Sequence, residues 1–207
     1  MRDPMVLVAT EGGGLQVSWD AAGRWQPVDM PCDGEILALT VAPTFAEDRR
    51  VCIAVHQHDE ARAAIWQGTI GGSWECLISH PGTAQRAIVA TSPTLAWGGV
   101  WYATIDEQLY ELCANAVRGR AGEHRPAGAG CALTPEQAAV IDLAVLHTAH
   151  ATGVLAATER GLYLLAHSEK GWRLFDDDTV PRAIVAVAPS PEYIQDSLIY
   201  ALVPHGP

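Results

Sequence analysis

The densest set of side chains able to do chemistry in this 207-residue chain is His56-Gln57-His58-Asp59-Glu60. On an extended strand, residues two apart project to the same face, so His56 and His58 could share an ion with Asp59 as a nearby oxygen donor. The run falls short of the His-x-His-x-Asp-His pattern of metallo-hydrolases, and no distant ligand set accompanies it. It reads as a solvated hairpin tip, and no metal is expected there. Asp176-Asp177-Asp178 could hold a hard cation through carboxylate oxygens, yet it lacks the alternating ligands and glycine of a calcium loop and reads as a charged turn. His147 and His150 flank the end of an apolar strand and read as turn or rim residues. No Gly-x-Ser-x-Gly elbow and no phosphate-cradling glycine loop is present, and no cofactor is expected.

The elements that would carry these residues are short strands. Hydrophobic residues make up 49% of the chain and charged ones 18%, with 19 Gly and 13 Pro, the profile of buried strands joined by tight turns. A formal charge of -11, from 24 acidic and 13 basic residues, repels phosphate backbones and argues against a nucleic-acid partner. No segment approaches the length needed to span a bilayer. The cysteines, Cys32, Cys52, Cys76, Cys113 and Cys131, are odd in number and show no Cys-x-x-Cys spacing; reduced thiols are expected. The apolar run from Met5 to Thr10 is too short for a secretory signal and meets Glu11 at once, so the expectation is cytoplasmic residence.

Internal repeats define the architecture. Val6-Leu7-Val8-Ala9-Thr10-Glu11 passes through glycines to Leu15-Gln16-Val17-Ser18 and then to Gly23-Arg24-Trp25. Val154-Leu155-Ala156-Ala157-Thr158-Glu159 passes through Gly161 to Leu162-Tyr163-Leu164-Leu165 and then to Gly171-Trp172. Each copy is a three-stranded meander. A second motif, Pro43-Thr44-Phe45-Ala46-Glu47-Asp48 and Pro191-Glu192-Tyr193-Ile194-Gln195-Asp196, links an Ala/Val-rich strand to the next one. Such innermost-type strands start near residues 36, 87, 140 and 183, the period of about 40–50 residues typical of a propeller blade. Trp25, Trp74 and Trp172 open the outermost strands, where a large flat side chain can fill the wedge between blades.

These residues resemble the BNR or Asp-box repeat propellers, a superfamily that includes sialidases, sortilin-like receptors and photosystem assembly factors. The family loop Ser-x-Asp-x-Gly-x-Thr-Trp is matched in degenerate form by Ser18, Asp20, Gly23 and Trp25, by Gly71 and Trp74, and by the shortened Ser168, Gly171 and Trp172. The resemblance implies an all-β propeller of four-stranded antiparallel blades. It also implies that Ser18 and Asp20 are structural, since short polar side chains in such turns bond local backbone groups. A sialidase in this superfamily needs arginines that clamp a carboxylate, a Tyr-Glu pair and an acid/base Asp. Arg86 and Arg182 hold matching places before two innermost strands, but no Tyr-Glu set can be assigned, and the chain is expected not to be an enzyme.

The expectation is a single propeller-like domain over residues 1–207, interrupted by an irregular insertion at 114–139 that contains His124 and a short helix start at Thr134-Pro135. Either about four blades close, with Ala183 to Pro189 as the inner strand beside Met5 to Thr10, or the chain is an open partial ring completed by a partner. Function is expected to be noncatalytic scaffolding in a larger assembly, through a protein partner or a second copy. The alternative is a carbohydrate-binding or sialidase-like propeller that meets sugar with Arg86, Arg182, Trp97 and Trp101.

Overall fold

The computed structural model describes residues 5–204 apart from 11, 13, 83, 85, 93–99, 107, 114–124, 127–137, 148–151, 167–170 and 176–181. The fold is all-β and of the β-propeller class, built from antiparallel sheets, with two single-turn helices among the described residues. No helix among the described residues is long and apolar enough to cross a membrane. The residues fall into two compact units, Met1–Ala87 and Ile88–Pro207.

The first unit holds a three-stranded sheet, β1 (Val6–Ala9), β2 (Leu15–Ser18) and β3 (Gln26–Pro27). A four-stranded sheet follows, β4 (Glu35–Val41), β5 (Arg50–Gln57), β6 (Arg62–Thr69) and β7 (Trp74–Pro81), with the single turn α1 (Phe45–Asp48) between β4 and β5. Leu15 and Val17 from the first sheet and Val51 and Ile70 from the second form one core. Trp74 packs against that core, and its indole Nε1–H donates to the Asp29 carbonyl at 2.9 Å. Gly68 makes this seat possible, because a Cβ there would lie 2.3 Å from Cε3 of the Trp74 ring.

The next sheet, which lies in the second unit from Ile88 on, is β8 (Ala87–Thr91), β9 (Val100–Ile105), β10 (Gln108–Cys113) and β11 (Arg125–Pro126). The outer strand of this sheet thus comes from inside the segment expected to be irregular. Next come β12 (Val140–His147), β13 (Thr152–Thr158), β14 (Gly161–Ala166) and β15 (Arg173–Leu174). The chain continues as the hairpin β16 (Ala186–Pro189), α2 (Tyr193–Asp196) and β17 (Ile199–Leu202). The strand expected to complete the N-terminal sheet is therefore β16, and its ladder partner is β17.

The apolar runs in β12 to β14, broken only by Asp142, follow from burial on both faces. Val145, Val154, Ala156, Tyr163 and Leu165 enter one core with Tyr102 and Leu109 of the preceding sheet. The alternate residues Ala144, Leu146, Leu155, Ala157, Leu162 and Leu164 enter a second core with Ile184 and Val187. Side chains of a strand alternate faces, so a sheet sandwiched between two neighbours can afford no polar stripe. Trp172 packs against the first of these cores and Trp74 plays the same part in the first unit, whereas Trp25 is 40% exposed.

Candidate functional site

Six of the eleven exposed large hydrophobic residues among those described, Val185, Ile194, Leu198, Tyr200, Leu202 and Val203, lie in or beside the β16–β17 hairpin. Ala186 pairs with Leu202, Val187 with Ala201, Ala188 with Tyr200 and Pro189 with Ile199. The ladder extends through Val185 N–H to the Leu202 carbonyl and Ser190 N–H to the Leu198 carbonyl, both at 2.9 Å. Tyr193 and Ile199 pack on the Ile184–Val187 core. Leu198, just before β17, and Tyr200 and Leu202 within it alternate onto the other face and are 50%, 58% and 62% exposed, and Ile194 of α2 is 59% exposed. Among the described residues β17 is hydrogen-bonded to β16 alone. An edge strand leaves a row of backbone N–H and C=O groups open to pairing, and native proteins usually blunt such edges with charge or proline. From Leu198 to Val203 this segment carries neither.

The turn before β17 is closed by side-chain hydrogen bonds, and a turn of the same kind stands before β5. In α2 the Ser190 hydroxyl donates to Asp196 Oδ2 at 2.5 Å, Asp196 Oδ1 accepts Leu198 N–H at 2.9 Å, and Ser197 adopts φ +56°. In α1 the Thr44 hydroxyl donates to Asp48 Oδ2 at 2.7 Å, Asp48 Oδ1 accepts Arg50 N–H at 2.9 Å, and Arg49 adopts φ +56°. The Pro-x-aromatic-x-x-Asp pattern has a physical basis here. Its Asp closes the single turn from one side and starts the following strand from the other. The Ser190 hydroxyl, then the Leu198 N–H, hold the Asp196 carboxyl below its ordinary value.

Ser18 and Asp20 form a comparable local network. Ser18 Oγ donates to Asp20 Oδ1 at 2.9 Å and accepts Ala22 N–H at 2.9 Å, and Asp20 Oδ1 accepts Arg24 N–H at 2.7 Å. The last of these bonds, with the Ser18 hydroxyl second, lowers the Asp20 carboxyl below its ordinary value. Ala22 occupies the position the motif gives to glycine and holds φ at +71°. Trp19 lies exposed beside this turn with the Arg49 guanidinium 4.6 Å from its ring centroid. Gly71 also takes a positive φ, +80°, in the turn before Trp74, and Gly171 precedes β15 with open space around it.

The other residues singled out by sequence are dispersed. Trp101 has no exposed surface. It stands opposite Leu112 in β9, on the same face as the buried Ala103 and Ile105, so it belongs to a core and not to a rim. Arg86 and Arg182 are exposed ahead of β8 and β16, in different units. Trp97, His124, His150, Ser168, the Asp176–Asp178 run and the helix start at Thr134 lie outside the described residues. His147 closes β12, its Nδ1 lying 3.4 Å from Thr152 Oγ1.

His56 and His58 do come together, with ring centroids 4.5 Å apart. Their third companion is Glu35 and not Asp59: one ligating atom from each of Glu35, His56 and His58 lies within 4.8 Å of the others. Glu35 stands directly opposite His56 in the β4–β5 ladder, a neighbour visible only once the strand register is known. Asp142 was also missed. It interrupts the apolar run of β12, bonding Leu143 N–H through Oδ1 and the distant Val187 N–H through Oδ2, both at 2.9 Å. A lone carboxylate inside an otherwise apolar strand is the signal that marks it.

No family model matches the chain, and no curated protein matches it. Solved structures do resemble it. The extracellular domain of the one-component system BT4673 from B. thetaiotaomicron superposes with a TM-score of 0.62 at 10% identity, over 97% of this chain and 25% of that one. YCF48, solved bound to a D1 peptide, superposes with a TM-score of 0.54 at 10% identity, over 92% of this chain and 58% of that one. The chain thus spans a quarter and rather more than half of the lengths of these two structures. Both are propeller-like, and at this identity the likeness establishes fold alone.

Proposed function

We propose that this chain is a noncatalytic propeller module that holds a protein partner, taking an extended segment of it along the free edge of β17. The observation that carries this reading is the uncharged edge strand with Leu198, Tyr200 and Leu202 exposed on one face. Strand addition to such an edge draws affinity from main-chain hydrogen bonds and specificity from alternate side chains. The YCF48 structure, a propeller with a peptide bound, makes peptide capture a natural use of this architecture. The repeats fit a degenerate Asp-box ancestry, with the Ser18–Asp20 network serving the turn. Free thiols at Cys32, Cys52 and Cys76 favour a reducing, cytoplasmic setting. The carbohydrate reading loses one of its stacking faces with the burial of Trp101.

The test places a photo-crosslinking amino acid at Tyr200, with Thr69 on β6 as an exposed control, in the chain expressed in its native source. A defined protein adduct at 200 that disappears with Leu202→Asp supports the reading. An adduct of twice the chain mass assigns the edge to a second copy, and equal labelling at both positions rejects the edge as the binding surface.

A further inference from the structure

We infer that Glu35, His56 and His58 form a zinc-binding site at one end of the β4–β5 pair. The site lies wholly in the first unit and does not depend on the use made of β17. Three features place it. First, the β-ladder itself juxtaposes the donors: Glu35 is the cross-strand partner of His56, and His58, two residues further on, returns to the same face, its Nε2 lying 3.8 Å from Glu35 Oε2. Second, His56 Nε2 is buried and makes no hydrogen bond. A buried imidazole nitrogen without a partner forfeits its hydration for nothing unless something else satisfies it, and coordination to a metal would do so. Third, the approach of the two strands at this point is specific to glycine. A Cβ on Gly34 would lie 2.4 Å from the His56 carbonyl oxygen and 2.7 Å from Val55 Cγ1, so the residue before Glu35 must lack a side chain for Glu35 to sit where it does.

The donor set selects the ion. Two imidazoles and one carboxylate suit zinc, which takes three such protein ligands and leaves a fourth position for water or an incoming donor; calcium and magnesium demand mostly oxygen. Zinc bonds of about 2.0–2.2 Å require the ligand atoms to draw closer than they stand. His58 and Glu35 have 64% and 56% of their side-chain surface exposed, so both can swing inward onto the half-buried His56. The Arg62 guanidinium, just beyond the turn, does not compete. Arg62 pairs with Gln57, on the opposite face of the hairpin, and is held by Gln57 Oε1 at 2.9 Å and by Glu60.

The experiment titrates the metal-free full chain with Zn2+ against a chromogenic chelator. One ion per chain is expected, undisturbed by excess Mg2+ or Ca2+. His58→Ala and Glu35→Gln, at exposed positions that leave the sheet intact, should each weaken binding at least as much as loss of an outer-shell partner does, about 10–100-fold. Co2+ in place of Zn2+ should give a visible spectrum without a thiolate charge-transfer band, and the His56 ring resonances should shift with one equivalent of Zn2+. Absence of Zn2+ binding, binding unchanged in His58→Ala, or a thiolate band assigning the ion to cysteine would each overturn the assignment.

Discussion

Asp196 shows how one side chain can set the conditions under which a turn holds. Its carboxyl is lowered from 3.8, first by the Ser190 hydroxyl and then by the Leu198 N–H. A carboxyl depressed in the folded state contributes stability that is fully present above its unfolded value and is lost as pH falls through the folded one. The turn into β17 therefore weakens only under acid, below about pH 4. Ser190→Ala removes the larger cause, so the Asp196 titration followed by NMR should move up toward 3.8, and acid unfolding of the variant should depend less on this group. The thiol of Cys52 sits at the other extreme. Burial raises it far above its ordinary value, which makes it a packing residue, inert to thiolate chemistry.

At the scale of the element, the strands were legible wherever chemistry repeats locally. Thr158 illustrates this: its hydroxyl accepts the N–H groups of Arg160 and Gly161 and donates to the Gly161 carbonyl, so a Thr before the turn marks a hairpin. Thr10 closes the corresponding turn by donating to the Gly14 carbonyl. Tryptophans at the start of outer strands were legible for the same reason, but their fates differ. Trp74 and Trp172 have a neighbouring sheet to pack against, and Trp25 remains 40% exposed. The seat of Trp74 was not legible, since it depends on Gly68 one strand away. Gly68→Ala forces the indole off that strand and disturbs its bond to Asp29. Overpacking of this kind costs about 1–3 kcal/mol, to be read as a lowered denaturant midpoint with the fold retained by circular dichroism.

At the scale of the whole chain, sequence periodicity located four innermost-type strands by their Ala/Val-rich apolar runs. Burial on both faces does not explain them all, since β4 has no buried residue and β16 only Val187; it is most complete in β5, β13 and β14. Periodicity could not locate β11, a two-residue strand whose side of the ladder is set entirely by β10. Nor could it find the Glu35–His56 neighbourhood or the Asp142–Val187 bond, which join residues 21 and 45 positions apart through register and not through local pattern. The buried strands should also dominate local stability. Val51 to Val55 and Leu155 to Ala157 are essentially without exposed surface. Hydrogen exchange should find their amides the most protected and those of β17 among the fastest, because protection tracks buried, paired backbone. Comparable protection in β17 and β5 would show that the edge is already occupied in the isolated chain.

The twinned turns α1 and α2 have one more consequence. Because they deliver their strands with matching geometry, β17 stands to β16 as β5 stands to β4. In the first unit β5 is sheathed along its far side by β6, whose Ala63, Ala64 and Ile65 are almost wholly buried. The chain therefore carries its own template for what should lie against β17: an antiparallel strand with small and branched apolar side chains, entering with its first residue opposite the end of β17. A peptide copied from β6 is accordingly the natural first probe of the partner-binding edge proposed for β17, since it mimics a strand that β5 already pairs with in the first unit.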